Sequence, residues 1–340
     1  MADWLDGYSS EWTVYYVDVD TWEPTGEVGG VVSVSVTRDG TDDVALIETG
    51  SMELTADELE SPWCRVYMKA RQNASERVPI ATMLFERQSS RFEKGVRTIS
   101  ARGRSVLQPA ADRKMTRGSF VPAGADGAAY VVRLLRECTP APVTAYGSFT
   151  LVDDFVFDLG CSYLEAAWQL LNASGWCMQI DGRGEISVLE KPKSASLELD
   201  KAHAGLLIPG VEDDFSIIDV PNRYYAIADD RTAEAVNDDP DSVVGYAKRG
   251  RWVDKVDTSP TLVDGESLEH YAERKLAEES TVTRTYSYTR EFWPDVVPFD
   301  IVSASLASNG VEGELRVMKQ ELKCGAGITV SETAGMEMRL

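Results

Sequence analysis

Apolar and polar positions alternate with a period of two through most of the first hundred residues. "EWTVYYVDVDTW" and "VVSVSVTRDG" both do so, and the second sets Val32, Val34 and Val36 on one face with Ser33, Ser35 and Thr37 on the other. Successive side chains of a strand point to opposite faces, so the pattern predicts a half-buried antiparallel sheet. "CRVYMKA", "IATMLFERQ" and "GVRTISARG" continue it between polar turn clusters, with no crossover helix among them. A first β domain over residues 1–104 is expected.

The period changes after Ser105. "DGAAYVVRLLREC" repeats apolar residues at helical spacing, with Asp126 placed to cap it and Pro140 beyond its end. "CSYLEAAWQLLNASG" carries Ser162 and Glu165 at capping-box spacing, an apolar face of Leu164, Ala167, Trp168 and Leu171, and Gly175 as a stop. "WCMQIDGRGEISVLE" then predicts a hairpin turning at Asp181 to Gly184, where glycine tolerates positive φ. These elements form a small α+β domain over 105–198, closed by the break "KPKSAS".

Residues 199–340 return to strands as a second β domain. "VPNRYYAIADD" reads as a strand, and the acidic "VNDDPDSVV" as a loop or insertion within about 229–258. A helix is predicted near 265–280, with Leu268, Tyr271, Ala272 and Leu276 on one stripe and Glu266 and Glu269 near its N-terminal dipole end. It runs into "TVTRTYSYTREFW", where Val282, Arg284, Tyr286, Tyr288, Arg290 and Phe292 face one way and hydroxyl side chains the other. Pro294 and Pro298 follow; lacking N–H donors, neither can sit inside a ladder, so they end the strand before Asp300 to Val302 begins the next.

Composition narrows the classes. With 340 residues, 43% hydrophobic and 26% charged, the chain reads as a globular protein of two or three domains. Asp and Glu total 56 against 34 Lys and Arg, a net charge of −22. That balance opposes tight phosphate binding, yet it suits a wall past which a nucleic acid moves without sticking. Cys64, Cys138, Cys161, Cys177 and Cys324 include no C-x-x-C pair and sit mostly among apolar neighbours, so reduced core thiols are expected. "MADWLDGYSS" has neither the basic nor the apolar region of a secretion signal, and no apolar run approaches the ~20 residues of a membrane span. Synthesis in a reducing cytosol is expected.

Candidate chemistry is sparse. His203 and His270 are the only histidines, and neither lies in a nucleophile or metalloprotease motif. The doublets Asp153–Asp154, Asp213–Asp214, Asp229–Asp230 and Asp238–Asp239 could supply a glycosidase pair, but such doublets arise freely in an acidic chain. "NDDPDS" lacks the central glycine and closing glutamate of an EF-hand loop. "GADGAA" and "DGRGE" match neither a P-loop nor a dinucleotide fingerprint. Trp12, Trp22, Trp168, Trp176 and Trp293 lie on or beside predicted elements, where burial is the default over a sugar platform. No catalytic, cofactor-binding or metal-ligating residue is assigned, and the alternative to a structural role is cell-wall carbohydrate binding or glycoside hydrolysis by paired carboxylates.

Three stretches together carry a family resemblance. "GVRTISARGRSVLQPAADRKM", "SYLEAAWQLLNASGWCMQIDGRGEISVLE" and "SLEHYAERKLAEESTVTRTYSYTREFWPDVVPFDIV" resemble, in order and spacing, the domain exit, helix-plus-hairpin and helix–strand–proline turn of bacteriophage tail-tip and baseplate hub proteins. That group includes the trimeric hub of contractile tails and the amino-terminal structural part of tail-associated lysins. The resemblance implies an α+β, predominantly β chain with two similar β-barrel domains flanking a small α+β domain. It further implies a homotrimer in the virion tail tip, and a distal tail or tail tube protein, a tape measure protein and receptor-binding or tip proteins as partners. DNA would pass through an acidic channel. The sequence runs to "AGMEMRL", and no lysin or fibre domain of the kind some members carry is expected within it.

Overall fold

The computed structural model describes residues 11–40, 47–56, 58–69, 77–116, 119–195, 197–199, 207–228, 231–258, 260, 267–293, 296–306, 310–325 and 327–339. The first segment is all strand: β1 Trp12–Val17, β2 Pro24–Glu27, β3 Val31–Asp39, β4 Ile47–Leu54, β5 Trp63–Lys69, β6 Arg77–Glu93 and β7 Val96–Arg104. The middle segment holds α1 Gln108–Asp112, β8 Ser119–Val121, α2 Gly127–Arg136, β9 Val143–Ala145, β10 Phe155–Phe157, α3 Tyr163–Asn172, β11 Trp176–Ile180 and β12 Ile186–Glu190. The last comprises β13 Leu197–Leu199, β14 Leu207–Asp214, β15 Arg223–Ala228, β16 Arg231–Val236, α4 Tyr246–Arg249, β17 Asp254–Asp257, α5 Leu268–Glu279, β18 Thr281–Glu291, β19 Ile301–Leu306, β20 Val311–Cys324 and β21 Ile328–Arg339. The protein is predominantly β, as the alternation predicts.

The chain divides into two compact units, residues 1–211 with 287–334, and residues 212–286 with 335–340. In the first unit one antiparallel seam determines the architecture: β20 pairs with β3, from Lys319 opposite Asp39 to Cys324 opposite Val34. The first and last strand-rich segments therefore share a sheet, which continues through β4, β7, β6, β5 and β1 to β2. They share a core too. Val34, Met52, Val66, Ile80, Phe85 and Ile99 pack in one cluster with Leu322, Cys324, Ile328 and Val330. The alternation in β3 holds from Val34 onward, but Val32 is exposed because the register with β4 shifts between Val31 and Ser33. A bulge adds one residue and so turns the preceding side chain to the other face.

The middle segment packs its own core. Asp126 caps α2 by accepting from Ala129 N, and the Ser162–Glu165 capping box of α3 is complete. The buried face of α3 is Ala166, Ala167, Leu170 and Leu171, while Leu164 and Trp168 are only half-buried. The expected stripe is thus rotated by about one residue. Two adjacent alanines present the smallest side chains at the packed face, which favours close approach of neighbouring elements. β11 and β12 form the expected hairpin, and β9 joins β12 in parallel.

In the second unit β15 lies between β16 and β17, and Tyr224, Ala226, Ala233 and Ala235 pack with Leu268, Tyr271, Ala272 and Leu276 of α5. The α5 stripe is the one its spacing predicts. The stretch 229–258, expected as an inserted loop region, contributes β16 and β17 as well as turns. Its buried positions in β16 are alanines, which carry little strand signal on their own.

Candidate functional site

Several of the residues considered for chemistry are held in local structural roles. His203 and the doublet at 229–230 lie outside the described residues. His270 is exposed in the first turn of α5, its amide donating to Ser267 Oγ at 3.2 Å. Asp154 accepts from Ala123 N at 2.8 Å, and Asp213 pairs with the Arg284 guanidinium, which holds its carboxyl below the ordinary range. "NDDPDS" is a turn tied by its own side chains: Asn237 Oδ1 accepts from Asp239 N, and Asp239 Oδ1 from Asp241 N. Among the described residues no group of three or more His, Cys, Asp and Glu side chains is placed to hold a metal ion. Likewise, no described helix is long and apolar enough to cross a membrane.

The described tryptophans are packed. Trp22 and Trp63 meet edge-to-face with centroids 5.4 Å apart, and Trp176 lies 5.1 Å from Phe149. Trp293 is also buried, whereas Trp12 and Trp168 are half-buried. Cys64, Cys177 and Cys324 are buried, and burial pushes the thiols of Cys64 and Cys324 up to about 12, leaving them unreactive at neutral pH. Cys138 and Cys161 are half-buried.

What the first unit does concentrate is a joint between all three chain segments. The β11–β12 turn presses onto the first sheet: Trp22 Nε1 donates to Arg183 O at 2.8 Å, Arg65 Nη2 to the same oxygen at 2.9 Å, and Thr82 Oγ1 to Gly182 O at 3.1 Å. Gly184 has φ +75°, as a tight turn requires, but Gly182 is dictated by space. A Cβ there would stand 2.0 Å from Pro79 O. Beside this turn, Gln179 Nε2 donates to Asp300 Oδ1 and to Pro298 O, both at 3.3 Å.

Here the proline–aspartate pattern finds its purpose. Pro294 lies outside the described residues, but residues 297–300 form a turn in which Asp300 Oδ2 accepts from Val297 N at 2.9 Å. Phe299, fully buried at φ +79°, donates its amide to Val317 O at 2.8 Å. A Cβ on Gly40 would come 3.1 Å from Pro298 Cβ. The turn therefore fastens β19 to the first and middle segments at once. Burial raises the Asp300 carboxyl above its ordinary value, against the donors from Val297 and Gln179.

Two buried ion pairs brace the shared sheet. Arg38 Nε meets Glu48 Oε1 at 3.1 Å across the β3–β4 register, and Arg38 also donates to Ile80 O. Burial pushes Glu48 up to about 7, with the Arg38 charge and hydrogen bond opposing and Asp181 adding to the rise. Glu332 in β21 is surrounded by Arg290, Tyr288 and Gln320, the last at 2.7 Å. Burial alone would raise it, but these donors and the Arg290 charge hold it below the ordinary value.

The Glu48 site makes a pH prediction. The native state binds a proton there between about pH 4.5 and 7 that the unfolded chain has released, so its stabilising share is full below 4.5 and is lost as pH rises through 7. The advantage of the wild type over Glu48→Gln should shrink by on the order of 3 kcal/mol between pH 5 and 8, measured by urea unfolding at each pH. An unchanged difference would place Glu48's titration elsewhere.

This β-rich fold, with its α+β segment docked on a common sheet, is that of phage tail proteins. The tail protein from Neisseria meningitidis MC58 superposes with a TM-score of 0.64 at 15% identity, covering 96% of each chain. The 43 kDa tail protein of prophage MuSo2 from Shewanella oneidensis gives 0.66 at 14%, again over 96% of each. An E. coli component of the type VI secretion system, described as similar to bacteriophage T4 tail proteins, gives 0.51 at 11% over 90% of this chain and 73% of its own. No family model and no curated sequence matches. The chain thus has the tail-protein fold, the one its three quoted stretches resemble.

Proposed function

We propose that this chain is a structural hub at the tail tip of a phage or phage-tail-like particle, where three copies close and extend the tail tube. Its tasks there are geometric: to present two similar β domains per copy around an axis, and to anchor host-attachment or cell-puncturing components. The distal tail or tail tube protein and the tape measure protein adjoin it, and DNA leaves through an acidic channel. The observation that carries this reading is end-to-end similarity of fold to a prophage tail protein, over 96% of both chains. The buried joint supports it, because fastening three segments with hydrogen bonds, a positive-φ turn and closely packed glycines yields a rigid part.

Purified protein should show a native mass three times that of the 37.4 kDa chain and release no sugar from peptidoglycan. A monomer that liberates reducing ends would replace this reading with the glycosidase alternative.

A further inference from the structure

The first sheet carries a projection that its own fold does not use. β6 is 17 residues long, yet only its first half is buried; every residue from Glu86 to Arg97 is exposed. Beyond a register shift between Arg87 and Ser89, and past Ser90 and Ile99, where β7 leaves β4, Arg91–Glu93 of β6 and Val96–Thr98 of β7 pair only with each other, and they turn at Lys94 and Gly95 with φ 50° and 85°. A two-residue turn of positive φ continues the right-handed twist of its strands. A two-stranded ribbon with both faces in water is nevertheless marginal on its own. The tip also exposes Phe92 by 71% and Val96 by 48%.

Its charge is opposite to that of the chain. Residues 86–97 hold Arg87, Arg91, Lys94 and Arg97 against Glu86 and Glu93, which leaves 30 basic and 54 acidic residues elsewhere. Within the arm, Arg91 meets Glu93 at 2.7 Å and Arg87 donates to Ser90 Oγ at 2.8 Å, both in solvent.

We infer that this arm is a clasp that seats on the acidic surface of a second copy of the same chain. The inference rests on the tail-hub reading and names the element that joins its copies. Opposite charge steers the arm to its seat and selects the partner, and burial of Phe92 and Val96 holds it there. A duplex is the poorer occupant: the arm's net charge is only +2 on a chain of −22, and phosphate binding gains nothing from an exposed phenyl ring and isopropyl group.

The test compares three full-length proteins by native mass and sedimentation at matched concentrations in low and high salt. They are the wild type, a variant with residues 91–98 replaced by Asn-Gly between the paired Ser90 and Ile99, and Arg87→Glu, Arg91→Glu, Lys94→Glu and Arg97→Glu combined. The wild type should associate, less so in high salt. Both variants should keep its circular dichroism and thermal midpoint but associate at least tenfold more weakly. In the associated wild type, arm amides should exchange hydrogen at least tenfold more slowly than in the dilute protein. Variants that assemble like the wild type, or arm amides that stay fast, would overturn the clasp and leave the hub reading intact. A wild type that remains monomeric throughout would overturn both. Duplex DNA retained through the arm by a monomer would assign the arm to nucleic acid instead.

Discussion

Arg290→Met lowers the unfolding free energy by about 3–5 kcal/mol at pH 7, because it strands a carboxylate in the sheet interior. Both side chains of the Arg290–Glu332 pair are almost wholly inaccessible, so water cannot replace the lost guanidinium. Tyr288 and Gln320 still donate to Glu332, but neither carries charge. In the wild type the depressed Glu332 contributes stability that is present above its unfolded value of about 4.5 and disappears as pH falls through its lower folded value. Removing Arg290 reverses the sign: burial then dominates, the folded carboxyl holds its proton more tightly than the unfolded one, and the variant gains stability on acidification. The deficit relative to wild type should therefore be largest at pH 8 and shrink toward pH 5, as followed by the urea midpoint of tryptophan fluorescence. Pairing the change with Glu332→Gln should recover part of the loss at pH 8. A deficit independent of pH, or absent, would mean that the charge is not confined as the geometry has it.

This pair also marks where sequence reasoning stops. Alternation along 281–293 places Arg284, Tyr286, Tyr288, Arg290 and Phe292 on one face, and that face is the packed one. It cannot separate Arg284, whose partner Asp213 sits in solvent reach, from Arg290, whose partner lies inside. Period reports direction, whereas depth depends on what covers the strand. The same holds for the seam. Val34 and Val36 are visibly core-facing, but that β20 supplies their neighbours, nearly 300 residues away in sequence, is a long-range pairing to which local pattern is blind. Capping residues fared better because their chemistry is local: Asp126 and Ser162 each bond an amide three residues on. The projecting arm was hidden for another reason. "IATMLFERQ" and "GVRTISARG" read as ordinary strands, and only the exposure beyond Glu86 and the absence of any β4 partner between Ser90 and Ile99 show that they outrun the sheet.

Gly182→Ala detaches the middle segment's hairpin from the first sheet at a cost of about 3–5 kcal/mol, built from overpacking and three lost hydrogen bonds. The new methyl would meet Pro79 O, Pro79 C and Ile80 N at 2.0, 2.5 and 3.0 Å, all of them backbone. No side chain can swing aside, and Pro79 is itself held opposite Tyr67 in the β5–β6 ladder. Relief requires the turn to lift, which breaks the bonds from Trp22 and Arg65 to Arg183 O and from Thr82 to Gly182 O. Arg65 then loses an acceptor in a buried position, a further penalty. Arg183→Ala is the informative control: its side chain is exposed and its bonds to the sheet run through the carbonyl, so it should unfold within about 0.5 kcal/mol of the wild type. Limited proteolysis reports the lifting directly, since the Gly182 variant should be cut sooner near the hairpin. Wild-type stability and cleavage in Gly182→Ala would show that the hairpin does not bear on β6 at this point, and the three-segment joint would fall with it.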